Sequence, residues 1–425
     1  MAQTQLQGAS SQTTLLDLAS NIMKQTEKLT AYLKANNLPE PSHEPGTTEF
    51  PEGPEYNSIM ASLEELQHLV DGPRRSVRYF ACENTDLAAY HVALEFEFFQ
   101  IVPLKGEIHI QELAKTAGLD VDRASRVLRM LATHRIFQEK RPGYFSHTAS
   151  SALFLEDEGI RSAGFFVLDE LWKGATAAAA AFKDSPYESS NTQSPFNKAF
   201  GVPMFTFLAE HPENATRFAK AMAGITTMDR PILELEEGFD WGKLQGKKVV
   251  DVGGGSGHVS MALARRFPNL EFVVEDESAH MLGEGEKLLT PDIKGRISFL
   301  QYNFFQQQPL RDVGTFFIRQ CTHNWCDRDV VKIFKGFVPG LEGSDPNTPL
   351  LINDTILPEP GVRPPHEERR LRQMDILMLI ALGAKQRTKA EFAALLKEAD
   401  PRYEIHSVHA DGSMGLLEVR LKRNV

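Results

Sequence analysis

The stretch Val249-Val250-Asp251-Val252-Gly253-Gly254-Gly255-Ser256-Gly257-His258 decides the fold. Its first four residues form a short apolar run of the kind that makes a buried strand, and the glycines after it allow a tight turn and close approach of a ligand to the backbone. The pattern predicts strand, glycine loop, helix. The glycines fall as G-x-G-x-G, at 253, 255 and 257, with His258 where a dinucleotide fingerprint needs its last glycine. No Walker lysine follows, so a nucleoside triphosphate loop is excluded. Twenty-one residues beyond Gly255, at the end of the next apolar run (EFVVED), stands Asp276. A carboxylate in that place accepts hydrogen bonds from ribose hydroxyls. The loop and acid together predict a nucleoside cofactor, and the G-x-G-x-G spacing favours S-adenosyl-L-methionine over NAD.

Downstream, the runs ISFLQY, TFFIRQ and PLLINDTI alternate with helical stretches, the signature of a parallel sheet covered on both faces. Two late runs, YEIHSVHA and GLLEVRLK, have no clear helix between them and predict an antiparallel finish. The expected class is α/β: a Rossmann-like, doubly wound sheet, mainly parallel. In such sheets ligands lie beyond the carboxyl ends of the strands. Phe316-Phe317-Ile318-Arg319 runs into Gln320-Cys321-Thr322-His323, and Asp354 ends the next strand. An imidazole and a carboxylate on neighbouring strand ends suit proton removal from a hydroxyl. The imidazole takes the proton while the carboxylate fixes the ring tautomer.

Upstream, residues 77–155 read as a helical unit. A long helix over residues 78–99 precedes a helix, a turn at Gly118-Leu119-Asp120, a second helix from Asp122, and a β-wing around Arg141-Pro142-Gly143. The first 76 residues read as two amphipathic helices around residues 39–55, PEPSHEPGTTEFPEGPE, whose five prolines exclude a helix. The helices' apolar stripes need a partner, and a second copy of the chain is the expected one, with packing back on the same chain as the alternative. The domains expected are an N-terminal arm (1–76), a winged-helix dimerisation and substrate-pocket domain (77–235) and a cofactor domain (236–425).

Composition narrows the classes. The chain has 425 residues, 46 Lys and Arg against 57 Asp and Glu, and a net charge of −11. Eight of the acids lie in residues 35–73, which contain no Lys or Arg, so the acidity marks the linker rather than the catalytic body. A row of Arg123, Arg126 and Arg129 on the second wing helix raises a minor alternative, a DNA-binding regulator that senses a nucleoside. The downstream cofactor loop and base disfavour it, and no nucleic-acid partner is expected. The three cysteines, Cys82, Cys321 and Cys326, form no C-x-x-C pair, and no ligand spacing for a metal is present. MAQTQLQGASS (1–11) shows no basic stretch before an apolar core, and no apolar run approaches bilayer length. The expectation is a cytoplasmic protein with no membrane partner.

Taken together, VVDVGGGSGH, the RQCTHNWCD segment, NDTILP (353–358) and AKQRTKAEF (384–392) resemble plant- and fungal-type S-adenosylmethionine-dependent O-methyltransferases. These include the caffeate and sterigmatocystin O-methyltransferases, and the resemblance covers roughly residues 80–422. It implies a homodimer, dimerised through the winged-helix unit. Asp251, Gly253, Gly255, Gly257 and Asp276 would serve the cofactor, Phe304 would pack on adenine, and Arg319 would sit near the amino-acid tail. His323 would be the general base and Asp354 its acidic flank. The family's usual aspartate before the adenine-packing residue is here Asn303, which can still accept a bond from the adenine amino group. The second acidic flank of the base is here Gln386, which keeps a hydrogen bond and removes a negative charge. Phe166, Trp172, Met222, Met374 and Met378 are the candidate substrate lining, suited to an aromatic or polyketide-type secondary metabolite. Some fungal members of this fold bind the cofactor yet catalyse pericyclic reactions without methyl transfer, which is the alternative function.

Overall fold

The structure is a computed structural model. It describes all residues except 1–12, 52, 230–232, 245, 411 and 424–425, so the N-terminal stretch examined for a leader lies outside the described residues. The chain divides into two compact units, residues 1–168 with 364–367, and residues 169–363 with 368–425. Residues 169–235, grouped by sequence with the winged helix, lie in the second unit, and the arm shares the first unit with the wing.

In the first unit, α1 (Leu15–Ala35) starts at a capping box formed by Thr14 and Asp17. Its partner is α2 (Pro54–Glu95), interrupted at Gly72, where φ is 67° and Pro73 follows. Asn21 of α1 donates to Ser62 Oγ of α2 at 2.7 Å, and Leu18 and Leu33 are buried. The stripe of α1 is therefore covered in part by its own chain. The expected helix over 78–99 ends early: Glu97 takes φ 55°, and the chain re-enters as α3 (Phe98–Ile101), with Phe98 and Phe99 fully buried. The break turns two phenylalanines into the core that a straight helix would leave on one side.

The wing follows as expected, with β1 (Ile108–His109), α4 (Ile110–Ala117), α5 (Val121–Thr133), β2 (Gln138–Arg141) and β3 (Tyr144–Ser146). Strand order is β1-β3-β2. Gly118 ends α4 in the left-handed conformation, and Asp120 caps α5. The linker departs from a purely solvated reading. Glu44 accepts from Lys140 Nζ at 2.8 Å, and the His43 carbonyl accepts from the Ala149 amide at 2.8 Å. Acidic groups also meet the arginine row, Arg129 forming a two-bond fork on Glu139 (2.9 and 2.8 Å) and Arg126 lying 3.8 Å from Asp122.

The second unit is built on one sheet of β4 (Lys248–Val252), β5 (Glu271–Asp276), β6 (Ile297–Gln301), β7 (Thr315–Arg319), β8 (Leu350–Leu357), β9 (Arg387–Thr388), β10 (Tyr403–Ala410) and β11 (Gly412–Leu421). The order is β10-β11-β8-β7-β4-β5-β6, with β9 beside β8. Strands β4 to β8 pair in parallel, and β10 and β11 provide the antiparallel finish. The strand period of two sorts the core. Phe316, Ile318 and Ile352 pack on one face with the helix Asp327–Glu342, while Phe317 and Leu351 pack on the other with Trp241 and Val259. Both faces are apolar, so helices must cover both, and the doubly wound layering follows.

Candidate active site

The turn after β4 is shaped by its glycines. Gly253 has φ 73°, and a Cβ there would lie 2.7 Å from Cys321 Sγ and 3.6 Å from the Phe304 ring. Both the backbone conformation and the space require glycine. Gly254 is fixed by proximity alone, because a Cβ would meet the Asp251 carboxylate at 2.7 Å. The amides of Gly253 and Gly254 both donate to the Glu275 carbonyl, at 2.7 and 3.0 Å, which bends the loop toward the end of β5. There Asp276 accepts from the Gly255 amide at 3.0 Å through Oδ2 and from the Ser278 amide at 2.9 Å through Oδ1. Each carboxylate oxygen keeps a further lone pair for a ribose hydroxyl.

Asp251 lies almost wholly buried and accepts from Ser260 Oγ at 2.6 Å. Burial pushes its carboxyl up to about 6, against the pull of the Ser260 bond and the Arg319 charge. Arg319, at the end of β7, is anchored by a bond from Nη1 to Asn353 Oδ1. Phe304 meets Phe305 and Trp325 edge-on, with ring centroids at 5.1 and 5.9 Å. Asn303 is more engaged than its sequence suggests: Oδ1 accepts from the Phe305 amide at 2.9 Å and Nδ2 donates to Glu277 at 2.8 Å. A bond to adenine would therefore use the second lone pair of Oδ1.

His323 stands in a short 3-10 turn, Thr322–Asn324, directly after β7. The register of β7 on β8 pairs Arg319 with Asn353, so Asp354 arrives one residue beyond, level with the turn. Asp354 Oδ1 lies 3.2 Å from His323 Nδ1. Its Oδ2 accepts from Thr322 Oγ1 at 2.6 Å and from the His323 amide at 3.1 Å. The parallel pairing of β9 with β8 delivers Gln386, whose Nε2 is 3.1 Å from the same Nδ1. The backbone N–H of Gln386 donates to Asp375 Oδ1 at 2.8 Å. All three side chains are buried. The three expected catalytic residues thus converge on one ring nitrogen.

Among the lining candidates, Trp172 opens the helix Trp172–Asp184, while Met374 and Met378 lie on the helix Pro365–Leu382. These two helices touch where Gly174 faces Ile380. Met222 is on the helix Pro212–Asp229. Phe166 belongs to the first unit, at the end of the helix Glu158–Phe166. Sequence reasoning passed over Cys321, whose buried thiol is pushed up by burial first and then by the nearby carboxylates. It also passed over Glu275, buried beneath the loop and pushed up to about 7 by burial, with one bond from Gln308 at 2.8 Å. An acidic residue inside an apolar strand was the available signal. No cluster able to hold a metal occurs among the described residues.

A strand-loop-helix cradle with an imidazole in the turn after β7 and a carboxylate on β8, which runs on to Leu357 rather than ending at Asp354 as expected, defines a nucleoside-dependent group-transfer fold. Residues 180–401 match the O-methyltransferase domain family, and residues 86–157 match the O-methyltransferase dimerisation domain. The chain is 58% identical to O-methyltransferase sol2 of Alternaria solani over 96% of this chain and 95% of that one. It is 31% identical to chlorophenol O-methyltransferase of Trichoderma longibrachiatum, covering 94% and 88% respectively. Among solved structures, LepI in complex with SAM shares the fold at a TM-score of 0.71 and 19% identity, covering 95% of this chain and all of that one. A structure titled a pericyclic reaction enzyme does so at 0.70 and 21%, covering 88% and 95%.

The chain belongs to the S-adenosylmethionine-dependent O-methyltransferase family. The residues present fit that cofactor: side chains at 253 or 254 would fill the space over Cys321, Phe304 and Asp251, and Asp276 has acceptor capacity for a ribose. No described helix is long and apolar enough to cross a membrane.

Proposed function

We propose that this enzyme methylates a phenolic hydroxyl of an apolar aromatic or polyketide-type secondary metabolite, with His323 as general base, and that it works as a cytoplasmic homodimer. When bound, S-adenosylmethionine supplies an electrophilic methyl group on a sulfonium. The loop from Gly253 to Gly257, with Asp251 at its base, and Asp276 would hold the ribose side, Asn303 and Phe304 would take the adenine, and Arg319 would serve the tail. A phenol with a pKa of about 10 is a poor nucleophile while protonated. His323 Nε2 accepts the phenolic proton as the oxygen attacks. Asp354 keeps the other proton on Nδ1 and stabilises the imidazolium that results.

One observation carries this reading: the 3.2 Å approach of Asp354 Oδ1 to His323 Nδ1, beside the glycine loop. Trp172, Met222, Met374 and Met378, all in the second unit, are the apolar side chains proposed to line the acceptor site, and the relative named for chlorophenol supports a phenolic acceptor. The test is incubation with methyl-labelled cofactor and a panel of chlorophenols and hydroxylated polyketides, read by mass spectrometry. A labelled methyl ether is expected. Consumption of a panel compound without label overturns the reading.

A second reading, pericyclic chemistry without methyl transfer, is supported by the Gln386 amide. Its Nε2 approaches Nδ1 at 3.1 Å while its buried Oε1 has no partner. If that amide donates, Nδ1 is unprotonated and Nε2 carries the hydrogen, making His323 a hydrogen-bond donor rather than a base. The carboxylate favours the first reading, because a charge-assisted bond is roughly twice as strong as a neutral one. Nδ1–H then donates to Asp354, and a half-turn of the Gln386 amide presents Oε1 to the same hydrogen.

A further inference from the structure

Arg387 follows Gln386 in β9, and its side chain is fully buried. A guanidinium cannot lose its proton, so each buried N–H needs an acceptor. Arg387 finds its acceptors in one neighbourhood. Nε and Nη2 fork onto Asp327 Oδ1 at 2.9 and 2.7 Å. Nη1 donates to the carbonyls of Thr322 at 3.0 Å and Lys385 at 3.2 Å, and Nη2 donates to the carbonyl of Trp325 at 2.8 Å. Thr322, Trp325 and Asp327 bracket His323 in sequence, and Lys385 precedes Gln386. One planar group therefore ties the turn carrying the base to the segment just before β9 that carries its amide partner.

An ion pair that served stability alone would need only Asp327, whose carboxylate is half exposed. Three of the contacts instead go to main-chain carbonyls, which fix backbone position and contribute no charge pairing. The Trp325 carbonyl is one of them, and the Trp325 ring packs edge-on against Phe304 and Phe305 at 5.9 and 4.8 Å. The clamp thus reaches from the base turn to the aromatic wall beside the glycine loop.

We propose that Arg387 is a positioning residue for methyl transfer: its guanidinium sets the placement of the His323 turn against Asp354 and Gln386. The proposal rests on the reading of His323 as the base. Lysine cannot substitute, because a point charge lacks the planar fork that spans four acceptors.

The test uses the full chain saturated with S-adenosylhomocysteine, with histidine labelled in carbon-13 and nitrogen-15. The His323 signal is assigned by its loss in His323→Ala. In the unsubstituted protein the imidazole is expected as a single Nδ1–H tautomer. In Arg387→Lys it is expected to average between tautomers, while the other histidine signals stay in place and the cofactor product binds within about threefold. A displacement of the ring by an ångström corresponds to about a hundredfold loss of turnover on a phenol that the unsubstituted enzyme methylates, with KM for that phenol little changed. Asp327→Ala removes the fork from the exposed side, leaves Arg387 in place, and is expected to shift the same signal by less.

An unchanged His323 spectrum in either folded variant overturns the proposal, as does a change shared by all histidines. If His323→Ala retains turnover, the base reading falls, and the spectral result for Arg387→Lys still decides whether the clamp holds the turn.

Discussion

At the scale of single residues, the chemistry concentrates on one nitrogen atom. His323 Nδ1 faces a carboxylate oxygen at 3.2 Å and the Gln386 amide nitrogen at 3.1 Å, so a charged acceptor and a neutral amide compete for it. Replacing the neutral one tests this directly. Gln386→Glu would place a second negative charge against the ring and favour the imidazolium. The acid limb of the pH–rate profile should move to higher pH, because more of the base is protonated at a given pH. The plateau rate should rise, since the imidazolium formed during transfer is better stabilised. An unmoved acid limb would mean that residue 386 does not feel the ring's charge. Asp354 was legible in the sequence because it follows an apolar strand run, and Gln386 because the AKQRTKAEF segment resembles the family's. Arg387, quoted beside Gln386, was not read: its acceptors lie about sixty residues away in sequence, and only the folded turn brings them within reach.

At the scale of elements, the glycine loop was legible because its geometry is local. Gly253, Gly255 and Gly257 all take positive φ, a demand the glycine spacing itself announces, although the side chains that crowd them, Cys321, Phe304, Val274 and Phe299, come from elsewhere in the chain. Gly253→Ala should cost the binding of S-adenosylhomocysteine at least about tenfold, since a left-handed alanine costs on the order of 1–3 kcal/mol before the clash with Cys321 is counted. Calorimetric titration checks it, and unchanged affinity would remove the loop from the cofactor site. Elements whose form is set by distant packing were less legible. The helix expected over 78–99 breaks at Glu97 because Phe98 and Phe99 gain full burial, a tertiary reward that helical periodicity cannot register. The acidic linker looked merely solvated, yet Glu44 meets Lys140, because its partner lies across the fold.

At the scale of the whole molecule, two properties follow from burial. Glu275 and Asp251 are both pushed up, to about 7 and about 6, chiefly by burial. The folded chain therefore keeps protons that the unfolded chain releases above ordinary carboxylate values. Their own contribution to stability should fall as pH rises from about 4 to about 7 and level off above that, opposite in sign to that of carboxylates held low by ion pairs, such as Asp400 beside Arg402. Glu275→Gln should flatten the fall, recovering on the order of 2–3 kcal/mol at pH 8 relative to pH 5. Denaturant midpoints at the two pH values measure it, and parallel curves for the two proteins would contradict it. The second property is the apolar surface left on the arm. Leu16 and Phe80 are 82% and 79% exposed even after α1 has packed on α2. The double substitution Leu16→Glu with Phe80→Glu should shift the molar mass by light scattering from dimer toward protomer at micromolar concentration. An unchanged mass would place self-association elsewhere. The class of the sheet was readable from alternating apolar runs, whereas the division at residue 168 was not, since helical periodicity continues across it.

The central claim is that His323 removes a proton from a phenol during methyl transfer. The most direct measurement is the rate of labelled methyl ether formation by the unsubstituted enzyme and by His323→Ala, on the same phenol, with S-adenosylhomocysteine affinity measured in parallel. The account predicts a labelled ether from the first and a loss of at least about a hundredfold in the second, at unchanged cofactor affinity. Turnover surviving within a few-fold in His323→Ala, or a product without label from the unsubstituted enzyme, would contradict it.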